Sequence, residues 1–305
     1  MNLVEKYGPE ASKLSIRQFC PPRCFEFAGK TMTFIMDSGE ETGEVVLEFL
    51  DETRVKWSHQ SGKHSGESTY ELRKADDWTY LLSYCSYEPR ENFTFVVDRE
   101  QELVTFMHNT LGENVYYPYL IESHFTFGYI QVEGKPHTDK RRHGFTDDVC
   151  GTGVRWVYGN ETTTVHVYHC SNWYRIAYNR EGVAMDVLDD DPAESKEAAS
   201  NRLRQAMREL PSSDEPARYV KIKEGIYFVS ITEQNMEKYY GAKVGFRSDN
   251  LCFLDNWHRF YSVGRAYGTM TIAGEDSEMF LMIGKYAKAE EINPSFFNDP
   301  IPYIV

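Results

Sequence analysis

The sequence predicts an all-β protein made of two successive antiparallel barrels, and three observations carry that prediction. Aromatic residues reach 14%, with 21 Tyr and 18 Phe, and such side chains pack well on a pleated sheet. Apolar residues alternate in short runs at the even spacing of a sheet curled into a barrel or sandwich. The pattern then starts again past residue 140, in a chain whose 305 residues suit two domains of about 150 residues each.

The elements follow in order. "FEFAGKTMTFIMDSGEETGEVVLEFLDETRVKWSHQSG" holds two β-rich runs separated by Ser, Gly and Glu, the pattern of a hairpin. "STYELRKA", "WTYLLSYCSY", "NFTFVVDREQELVTFMHN" and "ESHFTFGYIQVEG" continue the rhythm with no long amphipathic helix between them. Gly134 to Asp148, "GKPHTDKRRHGFTDD", is polar and aperiodic and reads as a linker. It divides the chain into residues 1–140 and 141–305, and its basic cluster "KRRH" reads as a solvated face rather than a phosphate contact.

Beyond the linker the pattern repeats. "FAGKTMTFIMDSGEETGEVVLEF" and "DVCGTGVRWVYGNETTTVHVYHC" share a Gly, an alternating strand, a polar turn and a second strand. "DDWTYLLSYCSYEPRENFTFVVD" matches "KEGIYFVSITEQNMEKYYGAKVGF", with Tyr80 against Tyr227, Ser83 against Ser230 and, with two residues of slack, Glu88 against Glu233. One segment departs from β. In "DDDPAESKEAASNRLRQAMREL", residues 189–210, Asp191 is placed as an N-cap, Pro192 at the first helical position and Glu194 at the capping-box position. The spacing predicts one inserted helix near 192–210, its stripe of Leu203, Met207 and Leu210 read as a structural decoration or a lid.

Charge and motif content narrow the function. A net charge of -14 and a pI near 5.2 repel a phosphate backbone, which argues against nucleic acid. No basic segment precedes an apolar one at the start and no run approaches the length of a membrane span, so a cytoplasmic protein without a membrane partner is expected. The six Cys read as reduced, mostly buried thiols, and "CPPRC" lacks a second pair at zinc spacing. No GxGxxG, P-loop, HExxH or GxSxG is present, so no cofactor and no metal is expected.

Candidate chemistry lies in the second half. In "EGIYFVSITEQN", Tyr227, Val229, Ile231 and Glu233 share one face of a strand. Facing a barrel interior, Glu233 would be desolvated and suited to general-acid work; the competing reading bends it outward into solvent at the strand end. On "GVRWVYGNE", Trp156 and Tyr158 alternate with Val154 and can flank a planar ligand or simply fill a core. His166 and His169, three residues apart, aim at opposite faces and make no metal pair.

These runs carry a resemblance. "DDVCGTGVRWVYGNETTTVHVYHCSNWYRIAY" with "EGIYFVSITEQ" resembles the C-terminal half of the MoaF family and, more distantly, phenolic acid decarboxylases. "FAGKTMTFIMDSGEETGEVVLEFLDETRVKW" and "SYEPRENFTFVVD" resemble the MoaF N-terminal domain. The resemblance implies two lipocalin-like, or calycin, barrels, each able to hold a ligand. It places Glu233 on the decarboxylases' catalytic Glu and Tyr158 on the second of their paired Tyr, with Trp156 in place of the first. "NREGVAMDV" has no Arg where theirs stands, which leaves their carboxylate clamp in doubt; Arg155 and Arg175 are near in sequence, Arg155 on the opposite face. In the first half Phe34 and Met36 replace both Tyr, so that barrel reads as structural or as a site for something apolar.

The expectation drawn from this is a cofactor-free lyase or isomerase acting on a small aromatic, phenolic molecule. Glu233 would act as acid/base, Tyr158 as hydrogen-bond donor and Trp156 as stacking wall, with Tyr168, Tyr174, Tyr178 and Tyr227 as further ligand contacts. The alternative is a non-catalytic binder of small aromatic amines, the MoaF name being associated with monoamine metabolism. A molybdenum-cofactor role ranks last, and a homodimer is the commonest closed assembly.

Overall fold

The computed structural model describes residues 19–87, 90–112, 121–135, 139–159, 162–179, 212–233, 246–272 and 275–288. The alternating runs form strands β1 (Thr31–Gly39), β2 (Gly43–Phe49), β3 (Arg54–His59), β4 (His64–Lys74), β5 (Thr79–Tyr87), β6 (Arg90–Asp98), β7 (Leu103–Leu111) and β8 (Ile121–Gln131). Each pairs antiparallel with the next and β8 returns to β1, closing a barrel. A two-residue strand, β9 (Gly144–Phe145), follows.

The meander then repeats as β10 (Thr152–Gly159), β11 (Thr162–Cys170), β12 (Trp173–Asn179), β13 (Ser212–Lys223), β14 (Ile226–Glu233), β15 (Phe246–Asn256), β16 (Tyr261–Ile272) and β17 (Glu275–Lys288). Pairing of β17 with β10 and of β12 with β13 closes this second ring, and β9 lies along β13 outside it. The fold is therefore all-β, a tandem of two lipocalin-like antiparallel barrels. The helix expected at 189–210 lies outside the described residues.

The sequence repeat is a structural repeat. Ser83 sits on β5 and Ser230 on β14, the fifth strand of each barrel. In the first, Asn92 Nδ2 donates to Ser83 Oγ at 3.0 Å and to the Tyr84 carbonyl at 3.0 Å. In the second, Asn250 Nδ2 donates to Ser230 Oγ at 2.9 Å and to the Ile231 carbonyl at 3.0 Å. Those paired bonds fix the register of the comparison. Ser86, opposite Glu91, is the counterpart of Glu233, opposite Asp249. Glu88, set against Glu233 in the sequence comparison, lies outside the described residues.

Inner faces of both barrels are filled with aromatic and aliphatic side chains. A third apolar layer joins the barrels back to back: Leu81, Val96, Met107 and Phe125 from the first, Phe228, Cys252, Leu254 and Met282 from the second. Strands β5, β6, β14 and β15 are thus buried on both faces, which is why they read as nearly continuous apolar runs. Arg265 crosses this layer, wholly buried. Its Nε donates to Thr94 Oγ1 at 3.1 Å, Nη2 to Asn109 Oδ1 at 2.7 Å, and Nη1 to the Asn250 carbonyl at 2.7 Å and Oδ1 at 2.9 Å.

Two expectations are corrected. The basic cluster of the linker is only half a solvated face: Lys140 and Arg141 are exposed, but Arg142 grips Asp37 through Nε (3.0 Å) and Nη2 (2.8 Å), its guanidinium lies 4.6 Å from the Tyr129 ring, and His143 is buried with Nδ1 2.9 Å from Thr105 Oγ1. Strand-end groups of the first barrel supply partners that a linear reading does not reveal. The cysteines are free thiols, but only Cys85 and Cys252 are buried, the other four being half-buried near strand ends and turns. Among the described residues no helix is long and apolar enough to cross a membrane, and no group of three or more His, Cys, Asp or Glu is arranged to hold a metal ion.

Candidate functional site

The interior of the second barrel gathers the chemistry. Strand alternation places Tyr227, Val229, Ile231 and Glu233 of β14 on the inner face, opposite Asp255, Phe253, Leu251 and Asp249 of β15. Glu233 is only 1% exposed and does not bend into solvent. Tyr174 Oη, from β12, donates to Glu233 Oε1 at 3.3 Å. Glu215 of β13, opposite Tyr174, adds a third buried carboxyl to the same end of the barrel.

Two carboxyls directly opposed on adjacent strands cannot both ionise cheaply. Burial first, then the charge and hydrogen bonding of Glu233, push the Asp249 carboxyl well above the ordinary range; Glu215 adds to the rise and Arg265 opposes it. Asp249 Oδ1 has no hydrogen-bond partner. Glu233 and Asp249 form a coupled pair in which burial and mutual repulsion favour holding a proton, a setting suited to giving up or taking one.

A second polar group lies toward the other end. Asp255 is six residues from Asp249 on β15, roughly 20 Å along the strand at about 3.3 Å per residue. Lys285 Nζ, on β17, stands 3.7 Å from Asp255 Oδ1, and neither side chain is exposed. The ammonium lies 3.4 Å from the Phe253 ring centre and 4.0 Å from that of Trp156. Burial lowers the Lys285 amine to about 7 against the opposing pull of Asp255. Gly264, the neighbour of Phe253 across β15 and β16, leaves room for the ring: a Cβ there would come within 2.5 Å of Phe253 Cδ1.

Aromatic and imidazole groups link the two ends. Tyr168 Oη donates to Asp255 Oδ2 at 3.5 Å and accepts from Trp156 Nε1 at 3.4 Å. His166 lies beside Tyr168, with its ring centre 5.3 Å from that of Tyr174, the partner of Glu233. Burial, then the nearby Lys285, push His166 well below its usual range, so it is neutral, and its Nε2 has no hydrogen-bond partner. The line Asp255, Tyr168, His166, Tyr174, Glu233 crosses the core from one polar end to the other.

Of the residues singled out in sequence, Glu233, Tyr158, Trp156, Tyr168 and Tyr174 are all buried in this interior. Tyr158 stands near the Lys285 end, 5.9 Å from Nζ to ring centre, and burial raises its phenol far above the ordinary value. Tyr227 belongs to the mouth, where its Oη donates to Asp148 Oδ2 at 3.4 Å. Tyr178 lies on β12, and its side chain is outside the described residues. Arg175 pairs with Asp214 at 2.8 and 2.7 Å away from the core, so it offers no carboxylate clamp. Sequence reading missed Asp249, Asp255, Lys285 and His166 as site groups. The available signal was "DNLCFLD", in which Asp249 and Asp255 fall on the same face as Leu251 and Phe253.

Comparison with known proteins adds little about chemistry. No curated protein matches the chain. A solved structure from Burkholderia vietnamiensis, provisionally named a beta-lactamase, is 17% identical over 37% of this chain and 96% of its own, with a TM-score of 0.27 that supports no argument. Residues 12–113, from ahead of β1 to just past the end of β7, match the family model for the MoaF N-terminal domain.

Proposed function

We propose that the second barrel binds a small aromatic molecule in its interior and catalyses a cofactor-free proton transfer on it, as a lyase or isomerase of phenolic compounds does. The observation that carries this reading is the buried pair Glu233 and Asp249, directly opposed across β14 and β15 and held by the Tyr174 hydroxyl. A pair forced to share a proton keeps one member as acid and the other as base, the requirement for moving a proton on and off a neighbouring carbon. Trp156, Tyr168 and Phe253 supply flat apolar walls.

The test is incubation of the purified protein with pooled phenolic acids and aryl-ethylamines, with mass spectrometry of protein and supernatant. Conversion that falls at least about 100-fold in Glu233→Gln, with unchanged melting, supports the reading; full turnover in that variant overturns it. One observation favours a binding role instead: Glu215, Glu233 and Asp249 place three buried carboxyls at one end of the core, a setting that attracts an ammonium. Retention of an unchanged aryl-ethylamine, with no conversion of any phenolic acid, would make the protein a carrier.

A further inference from the structure

Lys285 takes no part in the proton transfer just described, and it is an expensive residue to bury. A structural ion pair in a core closes to hydrogen-bond distance and satisfies its remaining donors. Here Nζ stops 3.7 Å from Asp255 Oδ1, and both atoms lack a hydrogen-bond partner. Nor does the fold require a charge at this place. Register matching of the barrels puts Gly128 of β8 where Lys285 stands, and Val97 of β6 where Asp255 stands. The first barrel closes with neither group.

We propose that Lys285 captures an aromatic aldehyde or ketone as a reversible imine, with Asp255 as its proton donor and acceptor. The amine lone pair attacks the carbonyl carbon, a C–N bond forms, and a proton passes from nitrogen to the carbonyl oxygen. Protonation of the carbinolamine hydroxyl by Asp255 lets it leave as water, and loss of the second N–H proton to Asp255 or retention on nitrogen gives the imine or iminium. Water reverses each step, so no oxidant or reductant is needed. The amine is reactive only when neutral, and burial, which brings it to about 7, supplies a large neutral fraction at neutral pH. Phe253, Trp156 and Tyr158 around Nζ select a flat ring beside the carbonyl.

This inference goes beyond the proton-transfer reading and does not depend on Glu233, so the two fail separately. The full chain is incubated at pH 7 with 4-hydroxybenzaldehyde and cyanoborohydride, digested, and mapped by mass spectrometry. Lys285 is expected to be reductively alkylated at least about tenfold faster than any exposed lysine. The adduct should be absent from Lys285→Met and retained in Glu233→Gln. Labelling confined to exposed lysines of the native wild-type protein, with Lys285 unmodified, would overturn the proposal, and that outcome does not rest on whether any variant folds.

Discussion

The two barrels share topology and register but treat the same position in opposite ways. In the first, Glu91 stands 3.3 Å from His108, which Glu41 also holds at 2.9 Å. Burial alone would lower the His108 pKa, but the two carboxylates outweigh it and raise it to about 9. In the second, the equivalent Asp249 faces another acid, and burial with that acid's charge raises its pKa well above the ordinary range. Likewise His59, its Nε2 2.7 Å from the Tyr84 hydroxyl, sits inside a stack of Trp57, Phe93 and Phe106 and is depressed to about 3 by burial. The first barrel neutralises its buried charges or leaves them uncharged. The second places like charges together and an amine without a hydrogen bond, a pattern that spends stability on a site.

Alkaline titration is the strongest way to break this comparison. His108, raised in the folded state, contributes stability that is complete below about 6.5 and is lost as pH rises through about 9. Lys285, depressed to about 7 against an ordinary 10.5, costs stability at low pH, and that cost is relieved as pH rises through this range. Between pH 7 and 9 each changes stability by about 2 kcal/mol, with opposite sign. Urea denaturation should therefore show Lys285→Met losing stability across that interval and His108→Gln gaining it. Parallel slopes in the two variants would mean that the barrels do not differ in this way.

A smaller effect comes from swapping carboxyls for amides at the matched position. Glu91→Gln removes one of the two carboxylates that hold His108 and should cost about 1–3 kcal/mol at pH 7. Asp249→Asn relieves the pair with Glu233 and should be neutral or stabilising, while turnover falls. Destabilisation by both to the same degree would make the acid pair of the second barrel a structural element. Smallest is the removal of one hydroxyl from each core. Tyr84→Phe deprives His59 Nε2 of its partner and should cost about 1 kcal/mol in stability. Tyr174→Phe should show mainly in turnover or ligand affinity, measured against the same pooled aromatics.

The barrels themselves were legible in sequence because each strand carries its own alternation and because the repeat aligned β1 with β10 and β5 with β14. Glu233 was legible for the same reason: its face is shared with Tyr227, Val229 and Ile231. Its partner was not, since the register of Asp249 against Glu233 joins strands separated by a long connection and leaves no local trace. Arg265, between Gly264 and Ala266 in "SVGRAYG", carries no local sequence signal of burial. Only the second barrel packed against the first makes it a buried link. Lys285 ends an apolar run and looks like ordinary solvent-facing punctuation until the ring closes.

The apolar layer between the barrels has a consequence for synthesis. The first barrel is built from neighbouring hairpins and can close as soon as β8 leaves the ribosome, but its outer face of Leu81, Val96, Met107 and Phe125 must then wait for β14 to β17. At about 5–20 residues per second that exposure lasts on the order of ten seconds. During it the nascent chain presents an apolar, fully formed surface with the Asn109 and Thr94 acceptors awaiting Arg265, a surface expected to aggregate when the first barrel is expressed alone.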